Sequence, residues 1–276
     1  MVELSTIIIT WKMKDLVRAL LRSIEEHTKG ITYEIIVVDN HSQDGTVELI
    51  QSEFPSARLI QNSTNRGVAA ARNQALRVAK GRFVQLLDAD MLLVENSLKA
   101  LLDFMVATPD AGVCGGKLVS TDGEMQLNCR RFPTISAHFM RRLDFLPFAR
   151  RSTSLRMHTM SDWSHDEVMK VDYLIGACQM IRRETLEEVG LLDENIFYGP
   201  EDIDFCLRVY RHGWNVYYFP HTKIIHYEQR LTKKKYLSPL SLRHLKGLIY
   251  LYWKYQGRIS LDGYVQDKRK AHSPAH

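Results

Sequence analysis

Tyr33-Glu-Ile-Ile-Val-Val-Asp39 is the stretch on which the fold turns. Ile35 to Val38 are apolar and β-branched with no polar alternation, which suits a strand covered on both faces. Such strands belong to parallel sheets with helices above and below. Upstream, Thr6–Trp11 has the same character, and Asp15–His27 carries its apolar residues at helical spacing. Downstream, further strands are predicted at Arg58–Asn62, Arg82–Asp88 and Gly112–Val119, with helices at Thr46–Glu53, Val68–Ala79 and Ser97–Ala107. The alternation predicts an α/β chain with a mostly parallel central sheet. Ligands of such sheets collect beyond the carboxyl ends of the strands. The acids closing two of these runs, Asp39 and Asp88-Ala89-Asp90, therefore stand where chemistry is expected.

The rhythm breaks over about 125–168, a stretch rich in Arg, His, Phe and Ser that is expected to form a loop-and-helix insertion over a site. Order resumes at Val171–Arg183. Helices are predicted around Glu184–Val189 and Glu201–His212, strand-like pieces at Asn215–Phe219 and Lys223–His226, and an apolar, basic helix at about Leu240–Tyr255. The expected organisation is one domain over 1–228 and a basic helical extension over 229–276.

A chain of 276 residues with 45% hydrophobic and 25% charged content can bury a sizeable core. Cys114, Cys129, Cys178 and Cys206 are widely spaced, without a C-x-x-C or a zinc pattern, and are expected to be reduced buried thiols. No stretch reads as a signal peptide or has the apolar length of a membrane span, so a cytoplasmic protein is expected. The net charge of +5 hides an asymmetry: from Lys223 onward twelve Lys/Arg face three acids, so this end carries +9 and the rest −4. The tail has no recognised nucleic-acid motif, and nucleic acid is not an expected partner.

Four motifs carry candidate chemistry, each with a plainer reading beside it. Asp88-Ala-Asp90 can present two carboxylates to one divalent cation, although Asp at a strand end also makes ordinary turns. Asp39-Asn-His-Ser-Gln-Asp-Gly45-Thr can be explained largely as turn and helix-cap chemistry, but Asp39 stands where a nucleobase N–H or ribose hydroxyl could be met. In Asn65-Arg-Gly67-Val-Ala-Ala-Ala71-Arg-Asn73 the small residues permit close backbone approach, and Arg66 or Arg72 could face a diphosphate; a good helix former with solvated arginines is the alternative. Gly199-Pro-Glu201-Asp-Ile-Asp204-Phe-Cys-Leu-Arg208 can be helix capping with an i, i+4 ion pair, or a source of a general base. His226, closing a strand, is a candidate metal ligand or a satisfied edge residue.

In order and spacing the set resembles glycosyltransferase family 2, the inverting enzymes of GT-A fold, over about Leu4 to His226. The matching stretches are Val37–Thr46, Asn65–Asn73, Asp88–Asp90, Gly176–Arg182, Gly190–Phe197, Glu201–Arg208 and His226. Within that family it is most similar to rhamnosyltransferase-like bacterial polysaccharide enzymes. One departure is Trp11-Lys12, where the family has a small or aromatic-Asn pair. The resemblance implies a GT-A catalytic domain over 1–228, with a nucleotide-sugar half to about residue 120 and an acceptor half beyond it. It implies donor contacts from Thr10, Asp39, Arg66 or Arg72, Asp88 and Asp90. It further implies Mg2+ or Mn2+ on Asp90 and His226, Asp202 as catalytic base, and Glu201 helping to position the acceptor.

The expected reaction is transfer of a sugar from a nucleoside-diphosphate-sugar donor to a saccharide or lipid-linked acceptor in cell-surface polysaccharide synthesis. Acceptor contacts are expected from Arg130, Arg131 or His138 in the insertion. The Leu240–Tyr255 helix, with Leu242, Leu245, Ile249, Tyr252 and Trp253 among basic residues, would either pack on the domain or bind an anionic membrane surface, placing the protein peripherally on the inner face of the cell membrane. Two alternatives stand beside this reading. A sugar-phosphate nucleotidyltransferase would want a glycine-rich loop after the first strand, and Thr10-Trp-Lys-Met-Lys-Asp15 has no glycine. A non-catalytic binding protein of GT-A fold would not need Asp90, Asp202 and His226 together.

Overall fold

The computed structural model describes residues 2–143, 146–227 and 238–260. The expected domain boundary at 228/229 and the basic runs Lys233–Lys235 and Lys268–Lys270 lie outside the described residues. The chain opens as β1 (Leu4–Thr10), α1 (Lys14–His27), β2 (Tyr33–Asp39), α2 (Thr46–Glu53), β3 (Arg58–Gln61), α3 (Val68–Leu76), β4 (Phe83–Asp88), β5 (Met91–Leu93), α4 (Ser97–Ala107) and β6 (Ala111–Val119). Next comes the insertion, with β7 (Met125–Gln126), β8 (Cys129–Arg130), α5 (Ile135–Arg142), α6 (Pro147–Arg150), α7 (Thr153–Thr159) and β9 (Met169–Lys170). It closes with β10 (Tyr173–Leu174), β11 (Cys178–Arg182), α8 (Arg183–Val189), α9 (Glu201–Arg211), β12 (Asn215–His226) and α10 (Pro239–Lys254).

The main sheet runs β3-β2-β1-β4-β11-β6-β12-β5, with β7 and β9 on its margins. β3, β2, β1 and β4 are mutually parallel, and β6 pairs parallel with β12. β11 is antiparallel to both its neighbours, so a mixed but mostly parallel sheet meets the expectation. Alternation across the strands divides the core. Ile7, Ile36 and Val38 pack with the α3 alanines and with Phe205, Leu207 and Val209 of α9. Ile8, Ile35 and Val37 pack with Val17, Leu20 and Leu21 of α1 and with α2 and α4. Helices on both faces leave only the strand ends for chemistry.

Two strand-like pieces near the C-terminus are in fact one strand, β12, with a register shift between Phe219 and Lys223. The three-residue β5 was not foreseen, and it is decisive. Right after Asp90 the chain reverses and pairs antiparallel with β12, setting Met91 opposite His226. Residues 136 positions apart are too far for any spacing rule, yet this register brings Asp90 and His226 side by side. The four cysteines are free and buried, as expected.

α10 packs on the same face as α9. Leu251 is fully buried, and Tyr255 and Lys254 reach the buried Asp204 carboxylate at 2.8 and 2.6 Å. Asp204 also holds Arg208 at 2.9 Å, the i, i+4 pair predicted from the sequence.

Candidate functional site

Register places the strand-end residues in a row. Thr10 lies opposite Asp39, and Ile9 opposite Asp88, so β1, β2 and β4 finish at one level. Thr10 and Asp39 are each about 1% exposed. One Asp39 oxygen accepts the Ser42 N–H at 3.2 Å, whereas Oδ1 is buried with no partner, as is the Thr10 hydroxyl. Adjacent buried polar atoms left unpaired each cost about 1–3 kcal/mol, the mark of a place built for a polar ligand. On this flank a cavity of about 960 Å3 is lined by Lys14, Asp39, Gly45, Thr46 and Asn62. Of the predicted site residues it touches Asp39 and not Asp88, Asp90 or Asp202, so it is the outer flank of the site and not its chemical centre.

Arg72 is the pivot. Its side chain is 3% exposed, and it donates to Asp88 Oδ1 at 2.7 Å, to the Gly176 carbonyl at 2.7 Å and to Glu201 Oε1 at 3.3 Å. A Cβ at Gly176 would come within 2.6 Å of the Arg72 guanidinium, so glycine there lets the arginine through. Asn73 clamps Leu192 through both its backbone N–H and its carbonyl, and Gly67, at φ +81, has the Phe197 carbonyl where a Cβ would stand. The Asn65–Asn73 motif is therefore mostly the seam between the two halves of the fold. Arg66 is its exposed member, its backbone N–H held by Asn40.

The three acids at the start of α9 take different partners: successive helix residues turn by about 100°, which separates Asp202 from both Glu201 and Asp204. Asp204 turns to α10, Glu201 turns to Arg72, and Asp202 accepts backbone N–H groups from Ile203 at 2.8 Å and Gly176 at 3.2 Å. Burial and the neighbouring Asp202 charge push Glu201 up to about 7, and its Oε2 is buried without a partner. Burial also raises Asp202, against the two backbone donors and Arg130 that favour its carboxylate form.

His226 Nε2 faces Asp90 Oδ1 at 3.6 Å, both side chains being 8% exposed. The Gln126 amide N donates to the His226 carbonyl at 2.9 Å, so its oxygen accepts from His226 Nδ1 at 2.7 Å. Nε2 is left as the lone-pair nitrogen, turned toward a carboxylate and oriented from behind, as metal-ligating imidazoles are. Ligand bonds of about 2.0–2.1 Å fit a divalent ion between donors at this spacing. Among the described residues no group of three or more His, Cys, Asp or Glu gathers, so the protein would offer a cation two ligands.

Sequence reasoning missed Tyr198. Its hydroxyl is raised by burial and then by Asp88, Glu201, Asp90 and Asp202 together, which puts acids from two remote motifs around one ring. A tyrosine directly before Gly199-Pro200 carried no periodic signal. On the insertion side, Arg130 and His138 point inward, while Arg131 pairs with Asp172 at 3.0 Å.

A family profile described as Glycosyl transferase family 2 matches residues 5–190. An N-acetylglucosaminyl-diphospho-decaprenol L-rhamnosyltransferase of Mycobacterium tuberculosis is 27% identical over 237 residues, covering 81% of this chain and 76% of the relative. An Escherichia coli UDP-Glc:alpha-D-GlcNAc-diphosphoundecaprenol beta-1,3-glucosyltransferase is 36% identical over 104 residues, 37% of this chain and 40% of the relative. Among solved structures, GalNAc-T7 with UDP, GalNAc and Mn2+ superposes with a TM-score of 0.60 at 16% identity over 82% of this chain. A Pyrobaculum calidifontis mannosyltransferase with GDP-Man and Mn2+ gives 0.56 at 20% identity over 83%. The chain spans 44% and 58% of those two proteins, and the likeness establishes the GT-A fold.

Proposed function

The chain belongs to glycosyl transferase family 2 and is a glycosyltransferase; from that premise we propose a metal-dependent, inverting transfer from a nucleoside-diphosphate sugar to a lipid-linked saccharide in glycan synthesis. One observation carries it: Asp88, Asp90, Glu201 and Asp202 converge on Tyr198 at the carboxyl ends of the strands, with His226 against Asp90. The diphospho-prenol acceptors named for the two relatives support the acceptor class.

In this reading Thr10 and Asp39 meet the nucleoside through their unpaired polar atoms. Asp88, half-exposed and steered by Arg72, faces the ribose or sugar, and Arg66 is the exposed cation near the diphosphate. Asp90 and His226 would hold Mg2+ or Mn2+, which would supply Lewis-acid stabilisation of the departing diphosphate. Asp202 takes the acceptor hydroxyl proton, oriented by the Gly176 and Ile203 N–H groups, and displacement from the opposite face inverts the anomeric carbon.

Glu201 supplies a second reading of the base, because its Oε2 has no partner and its proton affinity lies near neutrality. The test is nucleoside-diphosphate release and sugar transfer over a panel of donors, with Mn2+ and with EDTA. Transfer should vanish in EDTA. Asp202→Asn should slow it about 10²–10⁴-fold with donor binding kept, and Glu201→Gln should slow it less. Near-native turnover by Asp202→Asn with loss in Glu201→Gln moves the base to Glu201. Metal-independent transfer overturns the cation assignment.

The outward stripe of α10 supports peripheral attachment to an anionic membrane. Leu242, Ile249 and Trp253 are 58%, 62% and 75% exposed, Lys246 lies on the same stripe, and the helix has no acid. Among the described residues no helix is long and apolar enough to cross a membrane.

A further inference from the structure

Beside Asp202, the insertion and α10 gather basic side chains that form no ion pair with a carboxylate among the described residues. Arg130 comes from β8, His138 and Arg141 from α5, His158 from α7 and His244 from α10. The His138 ring lies 6.0 Å from that of His158 and 5.8 Å from Tyr252 of α10, so the elements close on one spot. His244 reaches the catalytic turn: its ring is 6.3 Å from Tyr198, and a Cβ on Gly199 would sit 3.1 Å from its Nδ1. Arg141 stands one turn after His138 on α5, and its charge opposes the protonated forms of Arg130, His138, His158 and His244.

Part of their hydrogen-bonding capacity is unspent: His158 Nδ1 pairs with the Arg131 carbonyl at 2.8 Å, and His244 meets the Tyr198 and Gly199 backbone. Arg130 places one N–H on the Leu127 carbonyl, but its Nε is buried with no partner, as are His138 Nε2, His158 Nε2 and His244 Nδ1. Among the described residues none of the five forms an ion pair with a carboxylate. The acid that acts on Arg130 and His244 is Asp202 itself. A buried guanidinium at Arg130 beside a second at Arg141, answered among the described residues by Asp202, is costly unless an anion arrives to share them. Burial and Arg141 already press against this charge: Arg130 is held down to about 10, His138 to about 4 and His158 to about 3.

We propose that Arg130, Arg141, His138 and His244 form an anion subsite for the diphosphate of a lipid-linked acceptor, which sets the acceptor sugar against Asp202. The inference rests on the transferase reading and deepens it by giving the acceptor a phosphate anchor separate from the donor's metal. Planar guanidinium groups match phosphate oxygens in pairs, and buried imidazoles add neutral N–H donors. His244 comes from α10, so one helix contributes to the anion site and turns Leu242, Ile249 and Trp253 outward.

The test measures binding of geranyl diphosphate and of geraniol by titration calorimetry in EDTA, so that metal-bound diphosphate at the donor site does not contribute. The diphosphate should bind at least tenfold more tightly than the alcohol. Arg141→Gln and Arg130→Gln should each weaken it at least tenfold, while Arg156→Gln, an equal charge loss on the surface of α7 where Arg156 pairs with Asp162, changes it less than twofold. Arg130 also braces the Leu127 carbonyl, so Arg141→Gln keeps the test decisive if Arg130→Gln does not fold. Equal binding of alcohol and diphosphate, or wild-type binding by Arg141→Gln, overturns the subsite. Donor binding is read separately by Mn2+-dependent thermal shift with nucleotide sugars: its failure beside Arg141-dependent diphosphate binding would sink the transferase reading and leave the subsite standing.

Discussion

The side of the cleft built from β1 to β6, which we propose takes the donor, and the side built from the insertion and α10, which we propose takes the acceptor, are held together by different forces. On the donor side, strands such as Ile35–Val38 are buried on both faces, and the polar site atoms are a few strand-end groups on an apolar scaffold. On the acceptor side the scaffold itself is charged. Asp204, fully buried, ties Arg208 of its own helix to Lys254 and Tyr255 of α10, and Arg130, Arg141 and three histidines line the space above Asp202. An apolar scaffold specifies shape by close packing. A charged one specifies it through partners that must all be present, and it leaves charge available for a substrate.

Single substitutions should separate the two modes. Asp204→Ala leaves Arg208 and Lys254 facing an empty acceptor and should cost about 3–5 kcal/mol, as broken buried ion pairs do. Ile8→Val, a methylene lost from the donor-side core, should cost about 0.5–1.5 kcal/mol. Urea denaturation of both variants checks the order. An Asp204→Ala loss no larger than that of Ile8→Val would mean α10 is held by Leu251 and Tyr255 packing rather than by the carboxylate.

The same contrast governs what could be foreseen. Strand β2 and helix α2 fall where apolar runs and turn residues place them, and the acids at the strand ends announce themselves because a doubly buried strand must end in something polar. The partnership of Asp90 with His226 was legible as a list of residues but not as geometry, since it depends on the register of β5, a strand of three residues. Arg72 looked like a solvated helix arginine or a diphosphate ligand, and its commitment to Asp88, Glu201 and the Gly176 carbonyl comes from contacts 104 and 129 residues away. His244 gave no sign at all, because nothing local to α10 says that this face of the helix meets Tyr198 and Gly199.

pH should pull in opposite directions on Glu201 of α9 and on the buried histidines of the insertion. Glu201 binds its proton more tightly folded than unfolded, so its contribution is full below about 4.5 and is lost as pH rises toward 7. His138 and His158 are depressed by burial from the ordinary 6.5 to about 4 and 3, so their contribution is present above 6.5 and is lost as pH falls toward those values. Melting temperatures from pH 4 to 7.5 should therefore vary weakly in the wild type. Glu201→Gln should show stability that rises with pH over this range, and His138→Gln should flatten the loss on the acid side. Parallel curves for all three proteins would mean that neither side titrates as its burial requires.

The smallest expected effect concerns the outer surface of α10. A surface lysine with no ion-pair partner among the described residues contributes within about 0.5 kcal/mol to stability, so Lys246→Glu should melt like the wild type. On an anionic vesicle each basic residue near the surface adds about 1 kcal/mol, so reversing this charge should weaken partitioning about 30-fold. Arg243 is stacked on Phe197 at 3.8 Å and is the poorer probe, since its loss disturbs the seam between the halves. Trp253→Ala should weaken binding to neutral vesicles as well, through lost apolar burial, whereas Lys246→Glu should not. Sedimentation with vesicles at low and high anionic lipid reads both. If neither change moves the partition, the exposed stripe of Leu242, Ile249 and Trp253 does not face lipid, and α10 serves the acceptor side through His244 and Asp204 alone.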